Sequence, residues 1–332
     1  MKKIVALLLA LVMVLSLVAC GEANTEKPVG DETSVDSETP AWEWDGPIEI
    51  MCPAATGGGL DTTLHALQPY LEEELGTSIV IDCRSGGSGV VGFTYSYNET
   101  PRDGYYFQFT SGTPILSAAA GKFDVPVYDD IQAVSGCMME EGVIFASAKA
   151  PFDDLQGMVD YAKANPKQVS IAIDAPTGLS GILITLFEQG AGVEFNWVIG
   201  GADESLISTI AGETDLLLAT WADSAAYVES GDLKVICTLG PEKNKAIGDY
   251  ACSGDIGVDI NFGYARMFTC LKGTPQEAAD AFEAAVHRAC TKAGWEEYLT
   301  SNGFTNDYLY DHEGAQNVIK TTYELGKQLA EG

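Results

Sequence analysis

From Pro47 onward the chain alternates short runs rich in β-branched and aromatic residues with stretches of helical spacing, and no other feature constrains its fold as strongly. Residues 48–52, 78–83, 105–110, 143–147, 169–173, 195–199, 215–219, 233–238 and 267–271 read as strands. Leu60, Leu64, Leu67, Leu71 and Leu75 recur at helical spacing and stop at Gly76, with Pro69 predicting a kink or break. Further helices are predicted over 152–165, 179–189, 204–211, 275–293 and 313–330, with Pro166, Gly190, Gly212 and Gly294 ending the first four. Alternation of this kind gives an α/β fold with helices on both faces of its sheets. No segment repeats at a fixed period, which excludes a solenoid.

The first residues carry an address. Lys2 and Lys3 precede an apolar run from Ile4 to Val18, and Leu17-Val-Ala-Cys20 closes it, the layout of a bacterial secretory signal with a lipobox. A run of about fifteen apolar residues is short of the roughly twenty needed to span a bilayer. Residues 1–19 are therefore expected to be removed, leaving Cys20 as a lipid-bearing first residue on the outer face of the cytoplasmic membrane, or on the periplasmic side if the cell has an outer membrane. Residues 20–45 read as a disordered tether, because 21–45 carry eight acids and one lysine among Thr, Ser, Pro and Gly.

Charge and residue counts narrow the function. The formal net charge of -30 over 332 residues argues against a nucleic-acid partner. Three histidines, His65, His287 and His312, none beside a plausible partner, leave little for a metal centre or histidine base catalysis. No metal and no cofactor is expected. Of the eight cysteines, Cys52, Cys83, Cys137, Cys237, Cys252, Cys270 and Cys290 follow the lipobox; none forms a C-x-x-C pair, and several sit in apolar runs as small buried hydrophobes.

Glycine-rich loops at strand ends carry the chemistry. Pro53-Ala-Ala-Thr-Gly-Gly-Gly-Leu-Asp61 lies between a strand and a helix, where free N–H groups favour an anion. Asp61 is expected as the helix N-cap that holds this loop. Ser85-Gly-Gly-Ser-Gly89 follows the next strand. Ser88 and Ser180 could suggest a hydrolase nucleophile, but neither sits in the closing-glycine pattern of a nucleophile elbow.

Three motifs in order, 53–61, Val80 to Gly92 and Asp103-Gly-Tyr105, resemble the opening of the solute-binding receptors of tripartite tricarboxylate transporters, the Bug family. Tyr128-Asp-Asp-Ile131, Leu155 to Pro166, Gly212-Glu-Thr-Asp215, Gly231-Asp-Leu-Lys234 and Lys272-Gly-Thr-Pro275 extend the resemblance, which spans Ile48 to Leu329. Three places depart from the family pattern. Asp174-Ala-Pro-Thr-Gly-Leu-Ser180 lacks its His, Trp197-Val-Ile-Gly-Gly201 lacks its Pro, Tyr and Lys, and Arg102 replaces a Pro.

The resemblance implies a two-lobed type II periplasmic-binding fold with the ligand cleft between the lobes, placed here at 46–141 plus 252–332 and at 142–251. It implies no enzyme but a monomeric receptor that closes on a small carboxylate and presents it to integral-membrane transporter subunits, touching the membrane only through its lipid. From the first lobe, Ala55, Thr56, Gly57, Gly58, Gly59 and Asp61 would form one side of the site, with Thr110, Ser111 and Thr113 beyond the third strand. From the second, Thr177, Gly178 and Ser180 would supply donors, and Gly201, Asp203, Thr220 and Trp221 would complete the wall. Arg84 and Arg266 are the cationic candidates. A binding protein that reports to a sensor, and a secreted serine hydrolase, are the alternatives.

Overall fold

In the computed structural model the described residues are 42–304 and 309–331. The expected signal peptide, Cys20 and most of the tether lie outside them. The chain from β1 (Ile48–Cys52) to the last helix builds two five-stranded sheets. The first holds β1, β2 (Ile79–Cys83), β3 (Tyr106–Thr110), β4 (Ile131–Glu140) and β10 (Tyr264–Leu271) in the order β2-β1-β3-β10-β4. β1 to β3 are parallel, whereas β10 runs antiparallel to β3 and β4. The second holds β5 (Val143–Ser147), β6 (Ser170–Ile173), β7 (Asn196–Ile199), β8 (Leu216–Ala219) and β9 (Leu233–Thr238) in the order β7-β6-β8-β5-β9. Here β6 is parallel to β7 and β8, and β5 is antiparallel to β8 and β9. Two mixed sheets with helices between their strands are the α/β class expected from the alternation.

The chain passes from one sheet to the other twice. β4 leads into β5 through Glu141 and Gly142, and the segment between β9 and β10 returns. Val258, Ile260 and Phe262, on that return, are buried in the core of the second sheet.

Helix α1 (Gly59–Leu75) buries the predicted leucines Leu60, Leu64, Leu67, Leu71 and Leu75 among Ile48, Ile50, Phe107, Phe268 and Phe282. Each such side chain contributes roughly 1.5–3 kcal/mol when fully buried. The helix runs through Pro69 without ending. The carbonyl that loses its N–H partner is that of His65, and both residues lie on the exposed face, where water can replace the bond.

Other helices follow with shifted ends. They are α2 (Val90–Glu99), α3 (Thr113–Ala119), α4 (Val127–Asp130), α5 (Leu155–Ala164), α6 (Leu179–Ala191), α7 (Ala202–Ala211) and α8 (Trp221–Glu229). Near the end come α9 (Gln276–Ala289), α10 (Ala293–Ser301) and α11 (His312–Glu331). Gly190 does not stop α6: Val258 fills the space a side chain would need there, and the cap is Gly192 at φ 66°. The helix expected over 275–293 ends at Ala289, and Gly294, expected as its stop, lies inside the next helix, packed under the Tyr70 hydroxyl. Along α11, Ala315 and Ile319 are buried against the first sheet's strands, while Leu325 and Leu329 pack on the core of the second.

Candidate functional site

The loop after β1 is held from within. Asp61 is buried, 3% exposed, and its carboxylate accepts the Gly57 N–H at 2.7 Å, while the Gly58 N–H donates to the Ala55 carbonyl at 3.0 Å. The expectation that Asp61 is the N-cap is corrected: Gly58 occupies that position with φ -75° and ψ 165°, and Asp61 sits in the first turn, reaching back four residues. Its backbone is already helical, so its side chain acts from the position where a capping box carries its acid. Cys83 Sγ donates to Asp61 Oδ1 at 3.1 Å, and His65 Nδ1 lies 3.1 Å from the same oxygen. Burial pushes the Asp61 carboxyl up, but the Gly57, Cys83 and His65 contacts outweigh it and hold the group below the ordinary 3.8. Two of the three glycine amides thus serve the loop itself. Among the described residues the Gly59 N–H makes no such bond.

The loop after β6 is built the same way. The Ser180 hydroxyl, 2% exposed, donates to Asp174 and to the Ala175 carbonyl, so it fastens the loop to the first turn of α6. Gly181 makes the fit possible, since a Cβ there would lie 1.9 Å from the Pro176 carbonyl oxygen. Gly178 caps α6 without a side-chain bond and with no acid in the first turn, and its own N–H donates to the Ala175 carbonyl at 3.1 Å.

Three adjoining cavities run along the strand ends. The first, about 310 Å³, is lined by Ala55, Leu60, Ser85, Ser88, Ser111 and Thr113 among others. The second, about 280 Å³, lies between the two halves, with Ser88, Thr113 and Lys122 on one wall and Asp174, Thr177 and Gly178 on the other. The third, about 430 Å³, is walled by Asp174, Asp203, Ser205, Thr220, Asp223 and Ser224 at the ends of β6, β7 and β8. Ser88 and Thr113 belong to the first and second linings, Asp174 and Tyr264 to the second and third. Shared wall residues make the three cavities neighbours along one crevice of strand-end loops.

Of the residues expected at the site, the crevice brings together Ala55, Ser111, Thr113, Thr177, Gly178, Asp203 and Thr220. Thr56, Gly57, Gly58, Gly59 and Asp61 shape the neighbouring loop without lining it. Thr110 is fully buried and donates to the Ser111 carbonyl at 3.2 Å; Gly201 caps α7. Trp221 stacks on Phe145 at 6.5 Å and meets Tyr250 at 5.8 Å, in the second core. The sequence reading missed Lys122, Asp174, Asp223 and Tyr264. Asp174 and Asp223 had a signal, since one follows a strand directly and the other opens a helix; Tyr264 had none, because its strand was read as starting at Met267.

The two cationic candidates, Arg84 and Arg266, are paired and line none of the three cavities. Arg84 pairs with Asp82 and covers the Tyr95 ring at 3.3 Å. Arg266 Nη2 lies 3.6 Å from Glu140 Oε2, both side chains mostly buried, and Arg266 Nε has no partner. Burial raises the Glu140 carboxyl, with Arg266 and the Thr220 hydroxyl pulling it back. Burial, then Asp174, Glu140 and Asp223, push the Tyr264 hydroxyl well above its ordinary value. No three acidic, His or Cys side chains among the described residues converge to hold a metal ion. The histidines are engaged away from Ser88 and Ser180: His65 with Asp61, His287 beside Glu283, and His312 with the Ala133 carbonyl at 2.7 Å.

With this geometry in hand, comparison places the chain among known proteins. A family model described as tripartite tricarboxylate transporter family receptor matches residues 64–330. Protein BugT of Bordetella pertussis is 24% identical over 265 residues, covering 78% of this chain and 81% of that protein. A TctC solute-binding protein from Polaromonas superposes with a TM-score of 0.75 at 20% identity, covering 86% of this chain and 98% of the other. MatC from Rhodopseudomonas palustris, whose structure holds bound malate, gives 0.64 at 17% identity, over 86% and 99%.

Proposed function

Because the chain belongs to the tripartite tricarboxylate transporter family of receptors, we propose that it is an extracytoplasmic lipoprotein that captures a small carboxylate and presents it to integral-membrane transporter subunits. The observation that carries the reading is the middle cavity, where the loops after β2 and β3 from one sheet face the loop after β6 from the other, with a further cavity on either side of it. Open sheets of this class hold their ligands beyond the carboxyl ends of their strands. The malate in MatC supports an organic acid as the ligand class. On this reading the two lobes, 46–141 plus 252–332 and 142–251, swing together on the ligand, and the closed form of the monomer is what the permease recognises.

The carboxylate would be met by short-range donors. The Leu179 N–H at the start of α6, the Thr177 and Thr113 side chains and the Lys122 ammonium surround the middle cavity. Exposed charges elsewhere on the body are screened over roughly 8 Å at physiological salt, so contact donors outweigh the global negative field. Nothing in this arrangement calls for bond-making chemistry, and the hydrolase alternative is not carried forward. A sensor role would use the same crevice and differ only in the partner that reads the closed form. No helix among the described residues is long and apolar enough to cross a membrane, and Cys20 is proposed as the anchor.

Thermal unfolding of the purified full-length chain against a panel of small carboxylates tests the reading. A ligand at 100 times its dissociation constant stabilises by about 2.7 kcal/mol, and no member of the panel should be turned over. Absence of any shift across mono-, di- and tricarboxylates would sink the carboxylate reading. Cys20→Ala should move the protein from the membrane fraction to the soluble one.

A further inference from the structure

Seven cysteines lie among the described residues, all of them free thiols, and six are buried. The seventh, Cys83, is partly exposed. It ends β2 and stands directly opposite Cys52, the last residue of β1, in the parallel ladder. Adjacent strands lie about 4.7–4.9 Å apart, inside the roughly 4.4–6.8 Å that separates the Cα atoms of disulfide-bonded cysteines. The two thiols are within hydrogen-bonding reach of each other. Two cysteines so placed need little backbone movement to be bridged.

The pair sits beneath the glycine loop after β1. Cys83 Sγ donates to Asp61 Oδ1 at 3.1 Å, and the Thr56 side chain is a further partner of Cys83. Asp61 in turn holds the Gly57 N–H at 2.7 Å. Burial first, then the neighbouring Cys83, pushes the Cys52 thiol up to about 12, and burial with the Asp61 contact raises that of Cys83. The reduced pair therefore stays protonated at neutral pH and keeps its bond to Asp61 until an oxidant reaches the exposed member.

We propose that Cys52 and Cys83 are joined as a disulfide by a small extracellular disulfide, and that this modification loosens the loop after β1. The proposal goes beyond the receptor reading and draws from it only the extracytoplasmic location, where disulfides form and persist. In the reaction Cys83 gives up its proton, and its thiolate attacks one sulfur of the small disulfide, whose other half leaves as a thiolate and takes up a proton. Cys52 then gives up its proton, attacks Cys83 Sγ and expels the remaining half as a second thiol. Two protein thiols are oxidised, and one small disulfide is reduced to two thiols. Cys83 no longer has a hydrogen to give to Asp61, so the carboxylate that holds Gly57 loses one of its contacts.

Incubation of the fully reduced full-length chain with oxidised glutathione, followed by peptide mapping without reductant, tests the pairing. A peptide joining Cys52 to Cys83 is expected, whereas Cys52→Ser should retain glutathione on Cys83. Amide hydrogen exchange followed by mass spectrometry should be several-fold faster over residues 53–60 in the oxidised chain, and dithiothreitol should restore the slower rate. Glutathione retained on Cys83 in the parent, linkage between other cysteines, or no loss of thiols overturns the proposal. A Cys52–Cys83 bridge with unchanged exchange keeps the disulfide and overturns the loosening. None of these readouts uses a carboxylate, so failure here leaves the receptor reading standing.

Discussion

Gly181 and Asp61 show how single residues fix the geometry of strand-end loops from within. Replacing Gly181 with Ala would push a methyl into the Pro176 carbonyl, 1.9 Å from the new Cβ. The loop would have to leave α6, at a cost of about 1–3 kcal/mol for overpacking, and the thermal melt should fall by several degrees with a loss of ligand affinity. A Gly181→Ala protein that melts like the parent would show that the loop is not held by this contact. Asp61 gives a prediction in pH. Its folded carboxyl lies below the ordinary 3.8, so its stabilising effect is complete above that pH and disappears as pH falls through the lowered value. The stability gap between the parent and Asp61→Asn should therefore be largest at neutral pH and shrink in acid, as measured by denaturant unfolding across the pH range. Asp61 was legible as a loop holder but not in its position, because a side chain reaching back from the first turn and one capping from outside leave the same sequence pattern.

At the level of elements, legibility followed periodicity. Nine of the ten strands were placed to within a few residues of their observed ends, and α1 was announced by its leucines. Leu64→Ala in that helix should cost roughly 2–5 kcal/mol, since the residue is fully buried against the first sheet; urea unfolding of the purified chain measures it, and a cost below 1 kcal/mol would mean the site collapses around the gap. β4 was missed although it is the longest strand. Nearly all of its ten residues are buried, so no polar alternation marks it, and Ser135-Gly136 reads as a turn. Gly136 is there because Tyr310 occupies the space beside it, and its N–H bonds to the Tyr310 carbonyl at 2.9 Å. Helix ends failed for the same reason: Gly190 and Gly294 look like stops locally but are packing contacts with residues far along the chain. Such distant contacts leave no trace at the residue itself.

For the whole molecule, the family motifs foretold the fold class, whereas the wall of the third cavity is made of residues distant in sequence, Asp174, Asp223 and Tyr264 among them, that only the assembled strands bring together. Small-angle scattering of the full-length chain should report a smaller radius of gyration when a saturating ligand is added; an unchanged radius would argue against closure. The last helix bears on how such closure could proceed. Its early residues Ala315 and Ile319 are seated on the first sheet's side, yet Leu325 and Leu329 rest on the second sheet's core. If the lobes part as proposed, those two leucines would have to slide across their footing or be lifted into water, adding shear to any rotation. How widely such a protein could gape would then depend on a few methyl groups near its tail.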